Sequence, residues 1–338
     1  MKENVKIADM TTMRLGGEAR YVFEIENYEQ VREAHEFAKK NNLEIFVLGA
    51  GANVIGRDEG FGGVVMRNQI KGMEMRDVGD VVEVSCGGGE ILDDAVKLTA
   101  SEGLTGIEAL ASIPGTVGAA PVQNVGAYGQ EFGNVVKCVK AYDFETGESV
   151  KIAREKCGFG YRRSIFNYGP DAGRYFIYEV VIELKKGEME KPFYNSLQRY
   201  VDENGIKDFS PESVRQMVKR IRSEKLPDPE KIASSGSFFK NVVVNEEQGK
   251  GLEKMGVPVF EDENGRVKVN TGWLIENAGL KGKLIRGMRV SEQAALVLIN
   301  EEAGSYEDLA AAREEIKRAV KEKFGVELEQ EPVEMTQA

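Results

Sequence analysis

Residues 106–131 read GIEALASIPGTVGAAPVQNVGAYGQE, a stretch rich in small side chains. Glycine, alanine and serine recur through it, and Pro114 and Pro121 interrupt it, so it has neither the period of an amphipathic helix nor the polarity of an exposed linker. Small side chains leave backbone N–H groups accessible and allow a flat or extended ligand to lie against the chain. The stretch therefore predicts either a ligand-binding cradle or close packing between two domains.

A second glycine-rich segment, GAGAN at residues 49–53, follows a predicted strand at 43–48. A dinucleotide fingerprint would need a third glycine at position 54, where the chain has Val54. The residues that follow are a predicted loop, so the helix N-terminus that usually binds pyrophosphate is missing. The segment predicts either a nest of backbone N–H groups that binds phosphate or a tight exit from the strand.

The composition excludes several classes of protein. Glycine accounts for 38 of the 338 residues, above the usual share of about 7%, and nearly half of these glycines lie between Gly49 and Gly133. A hydrophobic content of 41% is enough for a packed core and excludes a largely disordered chain. The formal net charge of −11 argues against a nucleic-acid partner, because phosphate backbones attract an excess of lysine and arginine.

The rare residue types narrow the chemistry further. His35 is the single histidine, which excludes a multi-histidine metal site, and its place on a predicted surface helix disfavours proton transfer by imidazole. Cys86, Cys138 and Cys157 are widely spaced and form no C-x-x-C pair. With no signal peptide or long apolar run, the chain is expected to be cytoplasmic, with no membrane insertion and no metal.

The N-terminal part predicts a β–α–β arrangement. Alternation at 21–25 indicates a strand, apolar spacing at 29–40 indicates a helix, and 43–48 indicates a second strand. Further along, residues 139–152 predict a hairpin that turns at Thr146-Gly147.

The composition changes from about residue 210 onward. Ser210 and Pro211 have the residue types of an N-cap and a first helical position. A long helix capped at Ser305 and a short terminal strand at 326–328 are predicted after it. The order of elements is mixed α and β without regular alternation, which indicates the α+β class.

Several motifs, colinear over nearly the whole chain, resemble the UDP-N-acetylenolpyruvoylglucosamine reductase family. They are VLGAGANV at 47–54, IPGTVGAAPVQNVGAYGQE at 113–131, YRRSIF at 161–166, KLPDP at 225–229, SGSFFKN at 235–241, GWLIENAGLKG at 272–282 and ALVLIN at 295–300. The resemblance implies an α+β protein with a two-subdomain FAD-binding fold of the vanillyl-alcohol-oxidase (PCMH) type and a C-terminal α+β substrate domain. The expected boundaries are 1–70 and 71–224 for the FAD subdomains, the second with a tyrosine-loop and helix insertion, and 225–338 for the substrate domain.

The same resemblance implies non-covalent FAD as cofactor and NADPH as co-substrate. The glycine chemistry follows from the residues, whereas the identity of the ligand as FAD comes from the family. The implied FAD contacts are Gly49, Gly51, Ala52, Asn53, Ser112, Ile113, Pro114, Gly115, Asn124, Gly126 and Tyr128.

Three residues match the catalytic positions of the family. Ser237 matches the proton donor, and Arg162 matches the arginine that binds the substrate carboxylate and stabilises its enolate form. Glu331 matches the acidic residue near the C-terminus, with Glu329 as the alternative.

Substrate contacts are implied for Lys225, Asn241 and Tyr200. Lys225 offers a counter-charge to a diphosphate, and Tyr200 is the expected capping tyrosine, with Tyr194 as the alternative.

The resemblance implies the reduction of UDP-N-acetylglucosamine enolpyruvate to UDP-N-acetylmuramate in peptidoglycan precursor synthesis. The expected partner is this UDP-sugar, and the chain is expected to be a monomer. Two alternatives stay open: a flavin oxidase of the same fold that acts on an alcohol or lactone, and a nucleotide-sugar binding protein without turnover. The GSFFKN and YRRSIF motifs argue against the oxidase.

Overall fold

The computed structural model describes residues 1–191, 193–261 and 265–337. Its strands, in chain order, are β1 (Lys2–Lys6), β2 (Glu18–Ile25), β3 (Ile45–Leu48), β4 (Val54–Gly56), β5 (Phe61–Asn68), β6 (Met73–Val78), β7 (Val81–Gly87), β8 (Leu104–Thr105), β9 (Gly126–Ala127), β10 (Gln130–Glu131), β11 (Val136–Asp143), β12 (Glu148–Ala153), β13 (Tyr175–Lys186), β14 (Ser234–Ser237), β15 (Val242–Val244), β16 (Val259–Glu261), β17 (Val267–Val269), β18 (Leu284–Ile285), β19 (Met288–Val290), β20 (Val297–Asn300) and β21 (Val333–Met335). Its α-helices are α1 (Tyr28–Lys40), α2 (Leu92–Ser101), α3 (Asn195–Asn204), α4 (Pro211–Lys225), α5 (Glu246–Lys254), α6 (Thr271–Asn277) and α7 (Tyr306–Phe324).

The chain divides into two compact units, and neither is continuous in sequence. Unit 1 consists of Met1–Asn4, Ala19–Ala50 and Gly62–Ser223. Unit 2 consists of Val5–Glu18, Gly51–Phe61 and Glu224–Ala338. No helix of the described residues is long and apolar enough to cross a membrane.

Unit 1 contains a sheet of order β1-β2-β5-β3, against which α1 packs. The helix begins where the Asn27 side chain accepts a hydrogen bond from the Gln30 N–H. Its buried face consists of Val31, Ala34 and Ala38, at helical spacing, and the predicted β–α–β arrangement is confirmed.

The larger sheet of unit 1 runs in the order β12-β11-β13-β7-β6, with β8 paired to β13. β11 and β12 form the predicted hairpin, with Asp143 opposite Glu148 across the turn. The core beside this sheet includes residues of α2, α3 and α4, for example Val96, Leu197 and Val218.

Unit 2 contains one sheet of order β14-β20-β19-β18, one of order β15-β17-β16, and the parallel pair β21-β4. α7 begins at the Ser305 cap, as predicted, and ends at Gly325 in the left-handed conformation. Its buried residues Leu309, Ile316 and Val320 join the core of this unit.

The predicted terminal strand at 326–328 is wrong. Val326 and Leu328 are buried in the core of unit 2 but form no ladder, so their alternation reflects packing and not strand pairing. The last strand is β21, which pairs with β4 from near the start of the chain.

Candidate functional site

In unit 1, turns of irregular backbone replace regular structure through most of the small-residue segment 106–131. The Ser112 N–H donates to Asp93 Oδ1 at 2.6 Å, and the Gly115 carbonyl accepts from the Leu92 N–H at 3.1 Å, so α2 anchors the segment. A Cβ added at Gly115 would meet no atom within 4 Å, whereas one at Gly118 would lie 2.8 Å from the Gly88 carbonyl oxygen. Gly118 therefore serves close packing inside unit 1, and Gly115 faces open space.

Tyr128 lies at the tip of a two-residue hairpin between β9 and β10. Tyr128 and Gly129 both have positive φ, 50° and 87°, as a type I′ turn requires. The Tyr128 ring is 6.2 Å from the Tyr194 ring at 90°, and the Arg222 side chain hydrogen-bonds its hydroxyl. Burial raises the pKa of Tyr128, so this phenol stays a neutral hydrogen-bonding group near neutral pH.

Asn124 is buried and connects three parts of unit 1. Its Nδ2 donates to Glu131 Oε2 at 2.8 Å and to the Gly160 carbonyl at 3.1 Å. Its Oδ1 accepts from the Gly133 N–H at 2.8 Å. The side chain thus joins the small-residue segment to the loop that carries Arg162.

Arg162 lies in a tight turn closed by two backbone hydrogen bonds between Gly160 and Arg163. Its Nη2 approaches the Gly126 carbonyl at 3.4 Å, and its guanidinium lies 5.3 Å from the centre of the Tyr161 ring. Arg162 is half-buried, whereas Arg163 is exposed and lies over the Tyr168 ring. The two arginines therefore differ in their surroundings, because Arg162 is partly shielded and contacts strand β9, whereas Arg163 lies at the surface.

Four of the predicted site residues share an uncommon backbone conformation. Eight non-glycine residues among those described have positive φ, and the four are Ser112, Asn124, Tyr128 and Arg162, at 57°, 46°, 50° and 53°. A left-handed conformation costs a residue with a Cβ on the order of 1 kcal/mol and recurs at binding and catalytic sites. Their clustering in unit 1 makes this region a candidate functional site.

The GAGAN turn contains the point in the sequence where a segment of unit 1 ends, at Ala50, and unit 2 resumes, at Gly51. Two of its glycines have very close neighbours. A Cβ at Gly49 would lie 2.6 Å from Thr116 Oγ1, inside unit 1. Gly51 has φ +68°, and a Cβ there would lie 2.0 Å from the Met10 carbonyl oxygen, inside unit 2. The Gly51 carbonyl accepts from the Thr12 N–H at 3.1 Å, which holds the turn in place.

In unit 2, Ser237 ends strand β14, which pairs with β20. The ladder is irregular between Ser234 and Ser237, and Gly236 has φ +73° with no atom within 4 Å of an added Cβ. Such irregularities re-aim side chains at the ends of strands. Phe238 and Phe239, both fully buried with ring centres 5.1 Å apart, anchor the chain directly after Ser237.

Glu331 lies beside this strand end. Its N–H donates to the Phe238 carbonyl at 2.9 Å, and its own carbonyl accepts from Asn53 Nδ2 at 3.5 Å. Glu329 is exposed and forms an ion pair with Lys240, whereas Glu331 is half-buried. Unit 2 thus brings the segments of Ser237, Glu331 and Asn53 together.

The three predicted substrate residues lie in different surroundings. Asn241 uses its Oδ1 to accept from the Thr271 N–H at 3.1 Å, at the start of α6. Lys225 is the exposed last residue of α4. Tyr200 packs against the core of unit 1 and lines a groove between α3 and α4, whereas Tyr194 is half-exposed and meets Tyr128.

Sequence reasoning missed Arg222. Its Nε is buried without a hydrogen-bond partner among the described residues, and burial lowers the pKa of its guanidinium. The available signal was a charged residue directly after Ile221, inside the apolar stripe that Val214, Val218 and Ile221 form on α4.

Comparisons with known proteins identify the class. A family model of an FAD binding domain matches residues 19–153, and the C-terminal domain model of UDP-N-acetylenolpyruvoylglucosamine reductase matches residues 228–335. The chain is 37% identical over 332 residues to the UDP-N-acetylenolpyruvoylglucosamine reductase of Burkholderia multivorans, which covers 97% of this chain and 95% of the relative. The enzyme of Escherichia coli K12 is 36% identical over 330 residues, with the same coverage.

A solved structure agrees at the level of the fold. The UDP-N-acetylenolpyruvylglucosamine reductase of Thermus caldophilus superposes with a TM-score of 0.63 at 24% identity and covers 99% of this chain and 98% of its own. The chain is therefore an FAD-dependent oxidoreductase, and the predicted α+β flavoprotein fold is confirmed. It belongs to the UDP-N-acetylenolpyruvoylglucosamine reductase family, as its motifs predicted.

The residues present fit FAD. Thr116 Oγ1, beside Gly49, is buried with no hydrogen-bond partner among the described residues, so it has a free position for a polar ligand atom. Gly115 opens onto space that a side chain would fill. An unpaired buried hydroxyl and accessible backbone N–H groups can donate hydrogen bonds to the phosphate oxygens of such a cofactor.

Proposed function

We propose that this chain reduces UDP-N-acetylglucosamine enolpyruvate to UDP-N-acetylmuramate with NADPH, as a cytoplasmic monomer that supplies a peptidoglycan precursor. The observation that carries the proposal is the hydrogen bond from the Glu331 N–H to the Phe238 carbonyl. Because Ser237 directly precedes Phe238, this bond places the segments of the two candidate catalytic residues of unit 2, Ser237 and Glu331, next to each other. Family membership supports the same reaction.

The cofactor would be held by backbone groups of 49–53 and 112–115, with Asn124, Gly126 and Tyr128 completing its site. FAD, when bound, passes the reducing equivalents of NADPH to the substrate alkene. We assign residues 1–70 and 71–224 to FAD binding and 225–338 to substrate binding.

Ser237 acts as the proton donor in this proposal. Reduction of the enolpyruvyl double bond leaves negative charge on the carbon next to the substrate carboxylate, and that carbon must take up a proton. A serine hydroxyl is a weak acid, but it can protonate so strong a base when neighbouring charges stabilise the alkoxide that remains. The irregular end of β14 supports this role because it leaves open space at Gly236, beside Ser237.

Arg162 and Glu331 stabilise the charge that develops on the substrate carboxylate. The Arg162 guanidinium offers a permanently charged, planar fork suited to a carboxylate. Glu331, in its protonated form, would donate a hydrogen bond to the same group. The ion pair of Glu329 with Lys240 supports Glu331 over Glu329, because the Glu329 carboxylate is already engaged at the surface.

The diphosphate of the UDP-sugar is assigned to Lys225, Asn241 and a loop tyrosine. We assign the tyrosine to Tyr194 in place of Tyr200. Tyr194 is half-exposed and in contact with Tyr128, itself a predicted site residue, whereas Tyr200 packs on the core. A tyrosine packed on a core would lose that packing if it moved onto a substrate.

The proposal is tested by following the flavin colour. The purified protein is expected to be yellow, to bleach with NADPH, and to regain its colour under anaerobic conditions only when the enolpyruvyl sugar is added. Ser237→Ala is expected to leave bleaching intact and to slow the return of colour by about 10²–10⁴-fold. Ser235→Ala is the matched control, since it removes a buried hydroxyl from the same strand.

Two results would contradict the proposal. Fast return of colour with oxygen alone, and none with the UDP-sugar, would assign an oxidase. Unchanged turnover in Ser237→Ala would remove the proton donor from the mechanism.

A further inference from the structure

Arg313 of α7 hydrogen-bonds two side chains of the C-terminal segment, residues 329–335. Arg313 Nη1 donates to Gln330 Oε1 at 2.8 Å and to Glu334 Oε1 at 2.6 Å. Gln330 Nε2 in turn donates to the Pro332 carbonyl at 2.8 Å, which closes the segment on itself. The Arg313 and Glu334 side chains are only 18% and 20% exposed, so this ion pair is shielded from solvent.

The two residues that Arg313 contacts flank Glu331. The bridge between Phe239 and Gln330 makes residues 329–331 locally extended, so the Gln330 side chain points to the face opposite to those of Glu329 and Glu331. The chain then bends at Pro332, before Glu334. The bond of Arg313 to Gln330 therefore fixes the face opposite to the Glu331 side chain, and its bond to Glu334 holds the chain beyond the bend.

Other groups of unit 2 reinforce the same contact. Arg57 Nη1 lies 3.7 Å from Glu334 Oε2, and the Arg57 guanidinium lies 4.7 Å from the centre of the Tyr306 ring. The Tyr306 side chain hydrogen-bonds both Glu334 and Arg313. Burial works against the charge of Glu334, but these hydrogen bonds outweigh it and lower its pKa, so Glu334 stays ionised and paired.

We propose that Arg313 is a positioning residue for the reduction of the enolpyruvyl sugar, because its bonds to Gln330 and Glu334 hold Glu331 in place beside the Ser237 strand. The proposal rests on the proposed function for the role of Glu331. The backbone of Glu331 is tied to Phe238 and Asn53, and Arg313 supplies the side-chain anchors on either side of it. A displacement of about 1 Å in a group that contacts the reacting atoms costs on the order of 10²-fold in rate.

The test measures the two half-reactions separately by stopped flow. Arg313→Met is expected to slow anaerobic reoxidation by the enolpyruvyl sugar by about 10–100-fold and to change flavin reduction by NADPH by less than about two-fold. Arg313→Lys is expected to recover part of the loss, because the charge is retained. Arg318→Met, the same change at an exposed position of the same helix, is the control and leaves both rates unchanged.

Gln330→Leu keeps the ion pair of Arg313 with Glu334 and so protects folding. It is expected to slow reoxidation by about ten-fold. In a Glu331→Ala background, Arg313→Met should change the rate by less than about two-fold, since the hydrogen-bond donor that it positions is gone.

Parallel loss of both half-reactions in Arg313→Met, or fully additive losses with Glu331→Ala, would overturn the proposal. Failure of the proposed function has a different signature, because the wild-type flavin would not be reoxidised by the enolpyruvyl sugar at all. In that case amide exchange at Gln330, Glu331, Val333 and Glu334 still tests the contact: faster exchange in Arg313→Met supports the anchoring, and unchanged exchange refutes it.

Discussion

Replacing Gly51 by alanine is expected to disrupt the GAGAN turn and with it the binding of FAD. Gly51 has φ +68°, and an added Cβ would lie 2.0 Å from the Met10 carbonyl oxygen and 2.9 Å from Thr11 Cα. Both neighbours are backbone atoms, so a rotamer change cannot relieve the collision. The turn or the segment of Met10 has to move.

The magnitude has two parts. A residue with a Cβ in the left-handed region costs about 1 kcal/mol. Bringing the Cβ to an acceptable 3.0 Å from the Met10 oxygen requires a shift of about 1 Å, and overpacking of this kind adds about 1–3 kcal/mol. The free energy of unfolding should therefore fall by about 2–4 kcal/mol, and the Kd for FAD should rise at least about ten-fold.

Gly79 provides the matched control. It has φ +65° in the turn between β6 and β7, and no atom lies within 4 Å of its added Cβ. Gly79→Ala therefore has the same backbone cost without the collision, and should lose about 1 kcal/mol with an unchanged Kd for FAD. Urea unfolding gives the stabilities, and flavin fluorescence quenching gives the Kd.

Equal destabilisation by Gly51→Ala and Gly79→Ala would refute the reasoning, because the collision would then cost nothing. An unchanged Kd for FAD in Gly51→Ala would show that the turn is a strand exit and not part of the cofactor site.

Three further predictions follow from other parts of the molecule. Hydrogen bonds from Arg174 are the main cause that lowers the pKa of Asp143 to about 2, so this carboxylate stabilises the fold above its unfolded pKa and loses that effect as the pH falls through about 2. Asp143→Asn should thus lower the free energy of unfolding in urea by about 1–2 kcal/mol at pH 7, allowing for solvent screening, and by almost nothing near pH 2. An equal loss at the two pH values would show that the ionised carboxylate is not the source of this stability. Asn124→Ala removes three hydrogen bonds at a buried position and should cost about 2–4 kcal/mol in the same assay, whereas a cost below about 1 kcal/mol would show that water replaces them. Tyr194→Phe should raise the KM for the UDP-sugar by about ten-fold and leave flavin reduction by NADPH unchanged, with Tyr200→Phe close to wild type; the reverse pattern would reassign the capping tyrosine.

Local signals in the sequence predicted much of the fold. The helix over α1, the hairpin of β11 and β12, and the caps at Ser210 and Ser305 depend on residues close together in the chain, and all appear in the structure. The small-residue segment was also identified correctly as non-regular, because its composition suits neither helix nor strand.

Features that depend on distant residues were not predictable. Nothing local shows that β21 pairs with β4, and the alternation at 326–328 predicts a strand where the side chains only pack in the core. Tertiary contacts distinguish Tyr200 from Tyr194, because Tyr200 packs on the core and Tyr194 contacts Tyr128. Arg222 and Arg313 were missed for the same reason, since a charged residue on a helix is usually solvated and tertiary contacts make these two exceptions.

The pairing of β4 with β21 also has a consequence for biosynthesis. Val54 aligns with Val333, roughly 280 residues later in the chain, so at about 5–20 residues per second β4 emerges from the ribosome a quarter of a minute to a minute before its partner. During that interval Leu15 and Ile55, both buried in the finished core of unit 2, have no core to enter. The turn at Gly51 and Asn53 gains its contacts with Glu331 and Val333 only after those residues have emerged, so the flavin site proposed at this turn forms late in synthesis.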